Sequence, residues 1–165
     1  MSSVRPLLRL VPDPPSEPVP VVSFCGHCGQ APPTPMAARS RVCALCGLGV
    51  VISASADLAP KQNEAFVIVD RQMKLCALSR GAERLLGTDE PDAIHRHVGD
   101  FLEPADAEAG RGDELLQNIV ATSTSGFGAP TSIVVRPTGE YGVRYAARVG
   151  ACGPPEGALI VLGSV

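Results

Sequence analysis

"FVIVDRQMKLCALSRGAERLLG", residues 66–87, decides how the rest of the chain is read. Its opening, together with Glu64 and Ala65, is rich in β-branched residues and ends at Asp70, the pattern of a strand. "RQMK" (71–74) supplies a turn, and "LCALS" (75–79) returns as a second strand. Ser79 can accept from the free N–H groups of the segment "RGAERLLG", in which Ala82, Leu85 and Leu86 share one helical face. Gly87 then offers the left-handed conformation that ends a helix.

Downstream, Ile94, Val98, Phe101 and Leu102 stand at i, i+4, i+7 and i+8, which predicts short helical turns with one buried face. "DELLQNIVATSTSG" (113–126) predicts a longer helix burying Leu115, Leu116, Ile119 and Val120. Three strands follow: "TSIVVRP" (131–137), "YGVRYAARVGAC" (141–152) and "ALIVLG" (158–163), joined by "TGE" and "GPPEG". In the middle strand Tyr141, Val143, Tyr145, Ala147, Val149 and Ala151 are expected on one face, Arg144 and Arg148 on the other.

This order of elements, with residues 66–87 and the later "VGDFLEPAD" (98–106), resembles a PAS domain over residues 64–162. The resemblance implies an α+β fold: a five-stranded antiparallel sheet with helices over one face and a small pocket. PAS domains sense ligands, redox state or light, or they dimerise and pass signals to attached effectors. The flavin photosensors of the family carry a cysteine where this chain reads "HVGDFLEPAD" (97–106), so a flavin is not expected. Haem-binding members commonly place a histidine on the long helix, and residues 113–126 have none, so haem is not expected either. The identity of any PAS ligand stays open. His95 and His97 are expected as a half-exposed pair beside Arg96, and Cys76 and Cys152 as buried thiols of the strands. Arg136, Arg144 and Arg148 form a basic stripe, solvated or facing the acidic run Asp89–Asp92 of a partner subunit.

Upstream lies "FCGHCGQAPPTPMAARSRVCALCG" (24–47), with the spacing C-x2-C-x14-C-x2-C. Cys25, Cys28, Cys43 and Cys46 supply four thiolates, enough to close a tetrahedral structural zinc site with no open position for a reactive water. Each pair is followed by a glycine, Gly29 and Gly47, able to take the positive φ that a tight metal knuckle requires. So short a segment, with few large apolar side chains, has no core of its own, and zinc binding worth about 10–16 kcal/mol is the usual remedy. The stretch 22–53 resembles the zinc-ribbon group. A rubredoxin-like iron site and a thiol–disulfide switch use the same residues and stay open as alternatives. A disulfide framework belongs to small secreted chains. His27, inside the first knuckle, is expected to face solvent.

The organisation expected is a Pro-rich tail (1–20, with six prolines), a zinc ribbon (21–53), a linker (54–62) and a PAS domain (63–165). Residues 1–50 hold four Arg against Asp13 and Glu17; the remaining 115 hold ten basic and fifteen acidic groups. That balance disfavours nucleic-acid binding by the larger part and leaves it open for the cysteine segment, where Arg39 and Arg41 stand between the knuckles. No apolar run reaches the roughly 18–20 residues that span a bilayer, and no export signal is evident. A cytoplasmic protein with no membrane contact is expected. "GRGDELL" (110–116) lacks the lysine of a phosphate loop, and no nucleophile–base pair is evident, so no enzyme is expected. The chain reads as a regulatory protein in signal transduction. Its PAS domain would sense a ligand or dimerise, and its zinc ribbon would meet a partner. A transcription-associated nucleic-acid binder and a thiol redox sensor are the competing readings.

Overall fold

A computed structural model describes residues 19–107, 111–124 and 128–163. Most of the Pro-rich tail, residues 1–18, lies outside the described residues, as does Gly110 of "GRGDELL". The elements begin with strand β1 (Val21–Cys25), helix α1 (Pro35–Ala38) and strand β2 (Val51–Ser55). They continue with β3 (Ala65–Val69), β4 (Leu75–Leu78), α2 (Arg80–Leu86) and α3 (Glu90–Ala93). After a 3-10 turn at Val98–Asp100 come β5 (Leu102–Pro104), α4 (Gly112–Ser123), β6 (Thr131–Pro137), β7 (Tyr145–Gly153) and β8 (Gly157–Gly163).

The five antiparallel strands expected from the sequence are present, in the order β4-β3-β8-β7-β6, with the helices against one face. The sheet is larger than expected, with eight strands among the described residues. β5 pairs with β6, and the β1–β2 hairpin joins through Ser53↔Gly153 and Ala54↔Cys152. β7 thus carries β6 along its first half and β2 at its far end on the same edge.

That junction explains the burial pattern. The helical face packs Val67, Val69, Val149, Ile160 and Leu162 against Met73, Leu78, Val98 and Leu116. The opposite face, which would otherwise meet water, packs Phe66, Ile68, Leu159 and Val161 under Phe24, Ile52, Ala54 and Leu58. Both faces are therefore dry, and β3 and the body of β8 are buried at every residue (Ala65–Val69 and Ala158–Leu162). Residues 54–62 take part in this packing: Ala54 and Ser55 lie in β2, and Leu58 is 1% exposed. Leu58 sits so close to β7 that a Cβ on Gly150 would come within 2.8 Å of its Cδ2.

The local signals of α2 hold. Ser79 caps it, accepting from the Ala82 N–H at 3.2 Å, and also accepts the Phe66 N–H at 2.9 Å. Gly87 ends it at φ +64. Three expectations are corrected. On α4 the buried frame is Gly112, Leu116 and Val120, with Ile119 half-buried, and Leu115 stands 41% exposed. β7 begins only at Tyr145, so Tyr141, expected on its inner face, is 74% exposed. The inner–outer alternation also fails at Gly150 and Cys152, both buried, because the hairpin and Leu58 cover the outer face there.

Candidate metal centre

Two knuckles of like geometry bring the four cysteines together. In the first, the Gly29 N–H donates to the Cys25 carbonyl at 2.9 Å; in the second, the Gly47 N–H donates to the Cys43 carbonyl at 2.9 Å. Each turn closes on a residue with positive φ, Gly29 at +72 and Gly47 at +69, which only glycine adopts cheaply. The pairing of β1 with β2, extended by the Val42↔Val50 bridge, sets the knuckles face to face.

The sulfurs all lie within 4.8 Å of one another, with Cys25 Sγ to Cys46 Sγ at 3.6 Å and Cys28 Sγ to Cys43 Sγ at 3.9 Å. A disulfide needs about 2.05 Å, so none of these contacts is one. Four sulfurs placed tetrahedrally at about 2.3 Å from a common centre stand about 3.8 Å apart. Both separations bracket that value. Such an arrangement could hold a metal ion.

The backbone is turned towards the sulfurs as well. His27 and Cys28 N–H groups donate to Cys25 Sγ at 3.4 Å each, the Leu45 N–H to Cys43 Sγ at 3.4 Å, and the Gly49 N–H to Cys46 Sγ at 3.5 Å. Such donors favour thiolate over thiol. Without a cation the sulfurs do not ionise alike. Burial pushes the Cys25 thiol up to about 12 against the pull of the Cys28 and His27 N–H groups, and burial also raises Cys28. At Cys46 burial acts in the same upward sense, but the Gly49 and Leu48 N–H groups and the neighbouring Cys25 and Cys43 outweigh it, and the thiol falls to about 6. A divalent cation relieves this conflict by stabilising every thiolate at once.

Gly49 is what lets the second knuckle approach. A Cβ there would overlap Cys25 Sγ and come within 2.8 Å of His27 Cβ. His27 itself is not in solvent, as the sequence led one to expect, but buried at 8% exposure. Its partners lie far along the chain: the Arg80 N–H donates to its carbonyl at 3.1 Å and Arg80 Nε to its Nε2 at 3.2 Å. Glu90 Oε2 stands 3.5 Å from its Nδ1.

The other singled-out residues fall elsewhere. His95 is exposed and His97 half-buried, its Nδ1 accepting from the Gly99 N–H at 3.1 Å, so the pair is as expected. Cys152 is buried, its thiol pushed up to about 12 by that burial, whereas Cys76, expected buried, is exposed. Of the basic stripe Arg144 stands exposed and Arg136 and Arg148 are half-buried, and each of the three has an acidic partner. Arg136 pairs with Glu103 at 2.9 Å, Arg148 forks onto Glu64 at 2.8 and 3.1 Å, and Arg144 meets Asp106 at 3.5 Å.

No family model matches the sequence, and no curated protein matches it. Among solved structures, the chain is similar to the PAS domain of a protein from Desulfitobacterium hafniense. The identity is 14% and the TM-score 0.44, covering 62% of this chain and 93% of that one. It is also similar to the PAS domain of an HTR-like protein from Haloarcula marismortui, at 14% identity and a TM-score of 0.40, covering 62% and 86%. The structural neighbours are PAS domains. Among the described residues, no helix is long and apolar enough to cross a membrane.

Proposed function

We propose that the chain is a non-enzymatic regulatory protein in which Cys25, Cys28, Cys43 and Cys46 hold a structural zinc ion. That zinc ribbon is fastened to the outer face of a PAS-like sheet. The observation that carries the reading is the set of sulfur separations, 3.6 and 3.9 Å, which suit a tetrahedral cation. Four thiolate ligands saturate such an ion, so the metal supplies folding energy rather than an activated water. The cytoplasm, where thiols stay reduced, is the compartment this chemistry favours.

Output passes through a protein partner or a second copy. Between helices and sheet, Met73, Leu75, Leu78, Val98, Leu102 and Leu116 fill the interior at 1% exposure or less, which favours contact-based signalling over a bulky PAS ligand. In the cysteine module Met36, Val42, Leu45 and Leu48 are each 52–75% exposed, apolar side chains of the kind that meet protein. Arg39 and Arg41 stand among them in the sequence, but an interface built on apolar side chains gives little of the phosphate neutralisation that nucleic acid demands.

Native mass spectrometry of protein purified without added metal tests this. One zinc per chain, with a dimer or a co-purified protein, is the expected result. Iron in its place would point to the rubredoxin-like alternative. Metal-free chains with paired cysteines would overturn the zinc reading in favour of a thiol switch.

A further inference from the structure

We infer that Arg80 and Glu90 are positioning residues for the metal site, acting through His27, so that metal affinity and the state of α2–α3 are coupled. The inference rests on the metal reading above and adds its regulation.

His27 has two sets of contacts. Its backbone N–H donates to Cys25 Sγ, so it orients a metal ligand directly. Its carbonyl accepts the N–H of Arg80, the first residue of α2, at 3.1 Å. That N–H is one of those a helix cannot satisfy internally. Its Nε2 accepts from Arg80 Nε. A guanidinium only donates, so the ring proton sits on Nδ1. Nδ1 is buried and faces Glu90 Oε2 at 3.5 Å, an electrostatic contact longer than a hydrogen bond.

Glu90 is fixed in its turn. Its Oε1 accepts the Leu78 N–H at 3.0 Å and its own N–H donates to Glu83 Oε1 at 2.9 Å. The first knuckle is thereby tied to β4, α2 and α3. The second knuckle is different: Ala44, Leu45, Gly47 and Leu48 are exposed. With metal bound, the sulfurs join the exposed knuckle to the tied one. Withdrawal of Arg80 or Glu90 loosens the first knuckle and weakens metal binding. Linkage requires the converse, that metal release frees α2–α3.

The tie can be cut without breaking the helix. Arg80→Met keeps the length of the side chain and removes its Nε donor to His27. Glu90→Gln, a second variant, keeps the shape and removes the charge facing Nδ1. Arg71→Ala, at an exposed pair with Glu156, serves as control.

Zinc affinity of the full chain is measured against a chromogenic chelator, and hydrogen exchange over residues 78–94 is followed with and without zinc. The coupling predicts about tenfold or greater loss of affinity in both variants, none in the control, and faster exchange in 78–94 once zinc is stripped from the wild type. Wild-type affinity in both variants, with exchange in 78–94 indifferent to zinc, overturns the coupling while leaving the metal site intact. A wild-type chain that binds no zinc overturns the metal reading itself.

Discussion

Phe24 meets Phe66 edge to face, with ring centroids 5.6 Å apart and planes at 89°. Phe24 stands next to Cys25, the first of the four clustered cysteines, and Phe66 lies on β3 in the middle of the sheet. The contact joins the cysteine module to the outer sheet face, which neither part covers alone. Phe24→Ala is expected to cost about 3–5 kcal/mol, the range for removing a buried aromatic ring. Thermal unfolding of the metal-loaded protein measures it. A loss under 1 kcal/mol would show that the module merely rests on the sheet.

Gly49 tests the site by steric means. A methyl group there has to displace Cys25 Sγ or the His27 backbone, both already fixed by hydrogen bonds. Gly49→Ala is expected to weaken zinc binding at least tenfold, read by chelator competition. Gly139, at φ +85 but with nothing within 4 Å of a built Cβ, is the control, and Gly139→Ala leaves the affinity unchanged.

The Glu64–Arg148 fork predicts a pH dependence. Burial pushes the Glu64 carboxyl up, but the Arg148 guanidinium and the Lys61 N–H outweigh it and hold the group below its usual range. The depressed value means that the pair stabilises the fold fully above the unfolded value of about 4.3, and the contribution is lost as pH falls through the lower folded value. Glu64→Gln is therefore expected to cost about 1.5–3 kcal/mol at neutral pH, the range of hydrogen bonds to charged groups. The difference from wild type shrinks below pH 4. Urea unfolding at pH 7 and pH 3.5 compares the two, and a pH-independent difference would contradict the account.

Ser79 is 3% exposed, and its hydroxyl accepts from both Phe66 and Ala82. Ser79→Ala strands two buried donors and is expected to cost about 1–3 kcal/mol. Ser79→Thr, which keeps the acceptor, recovers part of it. Equal losses in the two variants would mean that size, not the hydrogen bonds, matters at this position.

The sequence made legible what local chemistry decides. Strands β3 and β4, the Asp70–Lys74 turn, the Ser79 cap, the Gly87 stop and the glycines behind each cysteine pair all follow from residues within a few positions of one another. The contacts it hid span the chain. His27 is buried because of Arg80, 53 residues away, and Arg148 is neutralised by Glu64, 84 residues away. Nothing adjacent to His27 or Arg148 announces those partners. One signal did exist: "AFVIV" and "ALIVL" are unbroken apolar runs, the mark of strands covered on both faces, yet helices on only one face were expected. The cysteine hairpin and Leu58 provide the second cover.

X-ray absorption at the zinc edge, on protein loaded with one equivalent of zinc, tests the central claim most directly. The account predicts a single shell of four sulfur scatterers at about 2.3 Å, with no nitrogen or oxygen ligand. A shell containing nitrogen or oxygen, or fewer than four sulfurs, would contradict a closed site formed by Cys25, Cys28, Cys43 and Cys46.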